Sequence, residues 1–252
     1  MGYPGLSLQP RDVKWLNYLA HGPARMAEAT QFYEDPIEGL PIDPRRLYER
    51  LRELLKADFI KKHTYKNVEK GTCFYLGENG VVELMSRFGY EPTHLRTRPV
   101  PSKHLVHEII LSSVIRKIYQ DSDEKKLYKV LFAYDDTVMK NESSYKKNRV
   151  YPDLKMRLQP MDGSYQDFLF EIDGLNLRRD RYLKKLAGLK EPLFVVTLSS
   201  PRMELLFRYA EIANRKPPEI FMTTHTTFLK NGLIGTKWLH YPTKKFLHVR
   251  FR

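Results

Sequence analysis

Apolar positions in the first third of the chain recur mostly at helical spacing. Leu47, Leu51, Leu54 and Leu55 form an i, i+4, i+7, i+8 stripe, and Arg45, Arg46, Arg50, Arg52 and Lys56 occupy the other faces. Asp43-Pro44 supplies an N-cap and a first-turn proline for this helix. Upstream, Pro10 and Arg11 open a helix carrying Val13, Leu16, Leu19 and Ala20, and His21-Gly22-Pro23 stops it. A short second helix is predicted over about 23–32. Phe59–Tyr65 reads as a strand, Gly71 lies in the turn, and Thr72–Leu76 is the return strand. Glu78-Asn79-Gly80 leads into a closing helix with Val81, Val82, Leu84 and Met85. Three helices, a hairpin and a closing helix are the element order of a winged helix.

The pattern breaks at Pro92, Pro99 and Pro101, which forbid a continuous helix and remove strand donors. The expected organisation is a domain over 1–91, a linker over 92–102 and a second domain over 103–252. In that second domain His104–Tyr119 is a strongly apolar helix, and Tyr128–Tyr134 is a strand ending at Asp135-Asp136. Tyr151–Leu158 and Tyr165–Asp173 are two strands joined across Asp162-Gly163, a hairpin turn signal. A helix over Asn176–Gly188 follows, with Gly188 as its expected C-cap. Pro192–Leu198 is near-continuously apolar, the signature of a strand buried on both faces. A helix over about 201–215 and a short strand at Glu219–Thr223 complete an α/β reading with a mixed sheet.

Composition narrows the function. Lys plus Arg is 43 and Asp plus Glu 30, a net charge of +13. Residues 1–92 carry 13 basic and 13 acidic side chains, so residues 93–252 hold 30 and 17 and contain the whole excess. Such a segment speaks of an anionic partner, not of fold. One cysteine, Cys73, excludes an internal disulfide framework and a cysteine-rich zinc site, and it falls on a predicted hairpin strand as a packing residue. The N-terminus lacks a signal-peptide pattern, and no apolar run reaches the ~18 residues of a membrane span. A soluble, cytoplasmic protein is expected, with no membrane insertion.

Four carboxylates stand out. Glu108 interrupts an apolar helical run, with His104 and His107 beside it, and Asp153 follows Pro152 at the start of a strand. Glu171 and Asp173 end the next strand two residues apart, and so share one face. Acids in so apolar a setting cost several kcal/mol unless paired or bound to a cation. Acids at neighbouring strand ends suit a hard divalent ion such as Mg²⁺ or Mn²⁺. Basic residues follow at Arg178, Arg179, Arg181, Lys184 and Lys185, and precede at Lys146, Lys147 and Arg149.

The helix with Glu108, then Pro152-Asp153, then Glu171-Ile172-Asp173 ahead of the basic helix Arg181–Leu186, resembles the PD-(D/E)xK, or restriction-endonuclease-like, nuclease core. Joined to an N-terminal winged helix, it is most similar to the replication-relaxation family, related to MobC-class relaxases. The resemblance spans roughly residues 10–200. It implies Asp153 and Glu171 as ligands of Mg²⁺ or Mn²⁺, with Glu108 assisting. The lysine usual two residues after the strand glutamate is Asp173 here. Two lysines are candidates to replace it. Lys185 shares a helix face with Arg181 at i, i+4, and Lys155 lies two residues beyond Asp153 on its strand.

The expected function is therefore a metal-dependent DNA endonuclease or nickase acting at a replication or transfer origin of a plasmid or mobile element. The alternative is a catalytically inactive DNA-binding accessory or regulatory protein on the same fold. Candidate catalytic residues are Glu108, Asp153, Glu171, Asp173, Lys185 and Lys155. Candidate DNA contacts in the first domain are Arg45, Arg46, Arg50, Lys61, Lys62 and Lys66. In the second they are Lys146, Lys147, Arg149, Arg178, Arg179, Arg181 and Lys184. Expected partners are double-stranded DNA, single-stranded DNA at a nick, and accessory transfer or replication proteins, with a homodimer as an option where both strands are cut. The histidine-apolar-histidine motif of tyrosine relaxases and the P-loop GxxxxGK[ST] are both missing from the sequence.

Overall fold

The computed structural model describes residues 6–33, 43–66, 71–92, 95–135, 138–139, 151–174, 177–189, 191–213, 219–249 and 251. It is a mixed α/β protein of two compact units, Met1–Ser112 and Ser113–Arg252. Lys146, Lys147 and Arg149 lie outside the described residues.

In the first unit α1 (Pro10–Ala20), α2 (Met26–Tyr33), α3 (Pro44–Lys56) and α4 (Glu78–Phe88) surround a three-stranded sheet ordered β1 (Ala24–Arg25), β3 (Thr72–Leu76), β2 (Ile60–Thr64). Asp43 caps α3 by accepting from the Arg45 amide at 2.8 Å. The leucine stripe buries Leu47, Leu51 and Leu54 against Trp15, Leu16 and Leu19 of α1 and Phe59. The two-residue β1 pairs antiparallel with β3, so the segment expected to begin a helix at residue 23 is extended first. It is too short to show alternation. Leu95, from the proline-rich stretch, joins this same core. Cys73 is fully buried on β3 beside the Tyr65–Tyr75 hydroxyl pair.

Helix α5 (Leu105–Lys125) runs from the first unit into the second. It extends six residues beyond the expected end at Tyr119. The second unit is built on a seven-stranded sheet ordered β10-β9-β8-β7-β6-β5-β4. Its strands are β4 (Tyr128–Asp135), β5 (Leu154–Pro160), β6 (Gln166–Asp173), β7 (Leu193–Thr197), β8 (Ile220–Thr224), β9 (Lys237–Tyr241) and β10 (Lys245–His248). The three central strands β6, β7 and β8 are parallel, and antiparallel pairs flank them on both sides.

Parallel neighbours need crossovers, and α6 (Arg179–Gly188) and α7 (Ser200–Glu211) provide them. Both pack on one sheet face, where Tyr182 and Leu186 of α6 and Leu206, Phe207 and Ala210 of α7 meet Leu169, Leu193, Val195, Ile220 and Met222. On the opposite face Phe170 meets Phe228 of α8 (His225–Gly235), and Phe194 meets Trp238. Gly188 does not cap α6; the helix includes it and Leu189 is the C-cap. Among the described residues no helix is long and apolar enough to cross a membrane.

Candidate active site

Backbone pairing brings the two expected metal ligands together. The Asp153 amide donates to the Phe170 carbonyl at 2.9 Å, which sets Asp153 beside β6 one step ahead of the Leu154–Phe170 pair. Its Oδ2 accepts from the Ile172 amide at 2.8 Å, so the carboxylate lies over the strand that carries Glu171. Glu171 shares its face with Leu169 and is buried by the α6–α7 layer.

Lys185 of α6 reaches this pair. Its Nζ donates to Glu171 Oε2 and, at 3.2 Å, to Asp153 Oδ1. Only 3% of Lys185 is exposed. Burial alone pushes its ammonium down, but the Glu171 and Asp153 carboxylates more than reverse this and hold it above the ordinary lysine value. The cluster thus keeps its lysine charged.

Tyr182, one turn before Lys185, completes the setting. Its hydroxyl is buried with no hydrogen-bond partner among the described residues. Burial, and then the negative charges of Glu171 and Asp173, raise the phenol far above the ordinary tyrosine range. It stays protonated and holds a donor ready. Spacing could have revealed it, because i and i+3 share a helix face.

Asp173 does not join this cluster. Fully buried, it accepts from Arg202 Nε and, at 3.2 Å, from Arg202 Nη2. It also accepts from the Leu177 amide at 3.4 Å, while Arg202 donates to the Leu177 carbonyl. The pair ties the end of β6 to the first turn of α7 and to the approach to α6. A strand period of two gives the correct face but cannot reveal which partner Asp173 takes. Arg202 carries a weak signal: a cation in the first turn of a helix opposes the helix dipole and calls for a compensating acid.

Lys155 shares a sheet face with Glu171, since it is directly opposite Leu169. Its Nζ nevertheless pairs with Asp167 at 3.2 Å, and the ammonium on the Asp153–Glu171 pair is that of Lys185. Glu108 belongs to the first unit, where its carboxylate accepts from Arg96 and lies 3.9 Å from His107 Nδ1.

An oxygen-only pair of carboxylates suits a hard divalent cation, which often takes one or two protein carboxylates and completes its shell with water and phosphate oxygens. Asp153 and Glu171 would hold it. No set of three or more His, Cys, Asp or Glu converges among the described residues. Among those residues there is thus no closed cage of the structural-zinc kind.

The basic candidates divide. Arg45, Arg46, Lys61, Lys62 and Lys66 are exposed, as are Arg178, Arg179, Arg181 and Lys184. Arg50 is not an open phosphate contact: it pairs with the buried Asp12 at 2.6 Å and with Glu53 at 2.7 Å, and donates to the Ser7 carbonyl. It sits one residue before Leu51 and so at the border of the apolar stripe, where a long side chain turns inward. Comparisons of the chain with family models, with curated proteins and with solved structures return no match.

Proposed function

We propose that this chain is a DNA-binding, divalent-metal-dependent phosphodiesterase, an endonuclease or nickase of relaxase type. In this reading the first unit is a winged helix and the second a PD-(D/E)xK-like core. It acts at a replication or transfer origin of a plasmid or mobile element. The observation that carries the reading is the buried convergence of Asp153, Glu171 and Lys185 on one face of the sheet. Two carboxylates and one ammonium are the groups such a core needs, with the lysine supplied by a helix.

A bound Mg²⁺ or Mn²⁺ supplies charge neutralisation on a phosphodiester and acidifies water. The protein's own groups do the rest. Asp153 is pre-aimed by the Ile172 amide, so ordering it costs nothing at the moment of reaction. Lys185 carries a fixed positive charge that can move from the carboxylates to a phosphoryl oxygen as negative charge develops there. The Asp173–Arg202 pair holds the strand end on which Glu171 sits. Exposed Arg45 and Arg46 on α3, with Lys61 and Lys62 on β2, supply phosphate contacts to duplex DNA.

One observation favours the rival, a non-catalytic DNA-binding accessory: Lys185 already engages both carboxylates, so a cation must compete with it. Supercoiled DNA incubated with Mg²⁺ or Mn²⁺ separates the two. The parent converts it to open circles and Asp153→Ala does not; linear product means two cuts. If neither protein cuts while both bind, the accessory reading stands.

A further inference from the structure

Strand β4 contains a bulge whose effect is local and specific. Val130 pairs with Leu158, but the next pair is Phe132 with Arg157, leaving Leu131 as an extra residue. Without that insertion Phe132 would fall opposite Met156 on the buried face, and Tyr134 opposite Leu154. The bulge turns Phe132 and Tyr134 onto the other face, opposite Arg157 and Lys155. Both lie on β5, where Arg157 stands opposite Asp167 of β6 and Lys155 opposite Leu169. Leu169 is two residues from Glu171, so these rings share the sheet face of the candidate active site.

The half-buried rings and cations interleave. Phe132 and Tyr134 stack at 4.3 Å with 20° between planes. The Arg157 guanidinium lies 5.1 Å from the Phe132 ring centre and 4.6 Å from that of Tyr165, and Lys155 Nζ lies 5.9 Å from Phe132. Tyr165 is 66% exposed. β4 is an edge strand, where a bulge also deters pairing with another sheet; here it has the further effect of carrying two rings to a half-exposed face.

We infer that Phe132, Tyr134 and Tyr165, with Arg157 and Lys155, form a platform for the unpaired bases of single-stranded DNA beside the Asp153–Glu171–Lys185 site. Aromatic rings offer a stacking surface that any base can use once it leaves the duplex. Arg157 and Lys155 share the single carboxylate of Asp167, which leaves a net positive charge beside the rings for the phosphates. The charge suits this occupant, since residues 113–252 carry 27 basic and 16 acidic side chains. A duplex keeps its bases stacked on one another and gains little from such rings. The inference rests on the reading of the chain as DNA-binding and deepens it: the strand presented to the site is a melted one.

The test is equilibrium binding of the full chain to a labelled single-stranded oligonucleotide and to its duplex, in chelator, so that cleavage plays no part. Tyr165→Ala is the first variant, because so exposed a ring contributes little to folding. It should weaken single-strand binding by roughly tenfold and leave duplex binding within about twofold, while Tyr165→Phe retains affinity. Phe132→Leu, checked for folding by circular dichroism, should act in the same direction. Unchanged single-strand affinity in both Tyr165→Ala and Phe132→Leu overturns the inference, as does an equal loss for duplex. If the parent nicks supercoiled DNA but Tyr165 is indifferent, the platform fails and the nuclease stands. If single-strand binding depends on Tyr165 but nothing is cut, the nuclease fails and the platform stands.

Discussion

Lys185 shows how strongly one side chain constrains its neighbours. With the lysine present, Asp153 and Glu171 are paired; without it, two carboxylates remain in a buried site with their shared cation gone. Removing one partner of a buried ion pair typically costs about 3–5 kcal/mol. Lys185→Ala should therefore lower the denaturant midpoint by a corresponding amount, and adding Glu171→Gln should recover part of the loss. The pH dependence has a definite sign. The folded pKa of Lys185 lies above 10.5, so its contribution is complete below that value and is lost as pH rises through the folded pKa. His225 behaves oppositely: burial, beside Ser113 at 2.7 Å, lowers its pKa from 6.5. The unfolded chain then binds the proton first as pH falls below about 6.5, and stability drops. Chemical denaturation between pH 7 and 5 should show this slope, and His225→Gln should flatten it.

At the scale of the element, turns and helices differ in how much they betray themselves. The Asp162-Gly163 turn is legible because its chemistry is local, and Gly163 adopts a φ of 81°. The leucine stripe of α3 is legible because its period leaves one reading, and the apolar run of β7 because it is short, rich in β-branched residues and preceded by Pro192. Helix α8 and strands β9 and β10 do not announce themselves in the sequence. Helix α8 breaks its own geometry at Gly232, with φ 70° and ψ −173°, which erases a clean 3.6-residue period. That glycine has a steric reason: a Cβ there would lie 1.5 Å from the Asp121 carboxylate of α5. Gly232→Ala should destabilise the protein by more than the ~1 kcal/mol of a backbone-only effect, as read by thermal unfolding. The β4 bulge is equally invisible, because register is a property of two strands and the sequence displays each alone. The Asp153–Glu171 pairing can be expected from strand order, whereas the engagement of Asp173 by Arg202 depends on a residue 29 positions away.

For the molecule as a whole, charge distribution is the most readable feature and depends least on detail. The basic excess lies after residue 92, while the first unit offers only local clusters such as the exposed Arg45 and Arg46 of α3. Affinity for duplex should fall log-linearly with salt. Arg45→Ala with Arg46→Ala should reduce that slope by about one for each phosphate no longer neutralised, across all sequences alike. Arg50→Ala should instead lower stability, since its partners are Asp12 and Glu53.

The sheet of the second unit is open, ending in β4 on one side and β10 on the other. Every residue of β10 is exposed, and Phe246 at 62% exposure stands among Lys244, Lys245 and His248. Unpaired edge strands carrying apolar residues are templates for pairing with another copy, and flanking lysines deter this by repulsion. Salt screens that repulsion. Concentrated stocks at high ionic strength should therefore lose the guard on β10, and Phe246→Lys is the substitution that restores it.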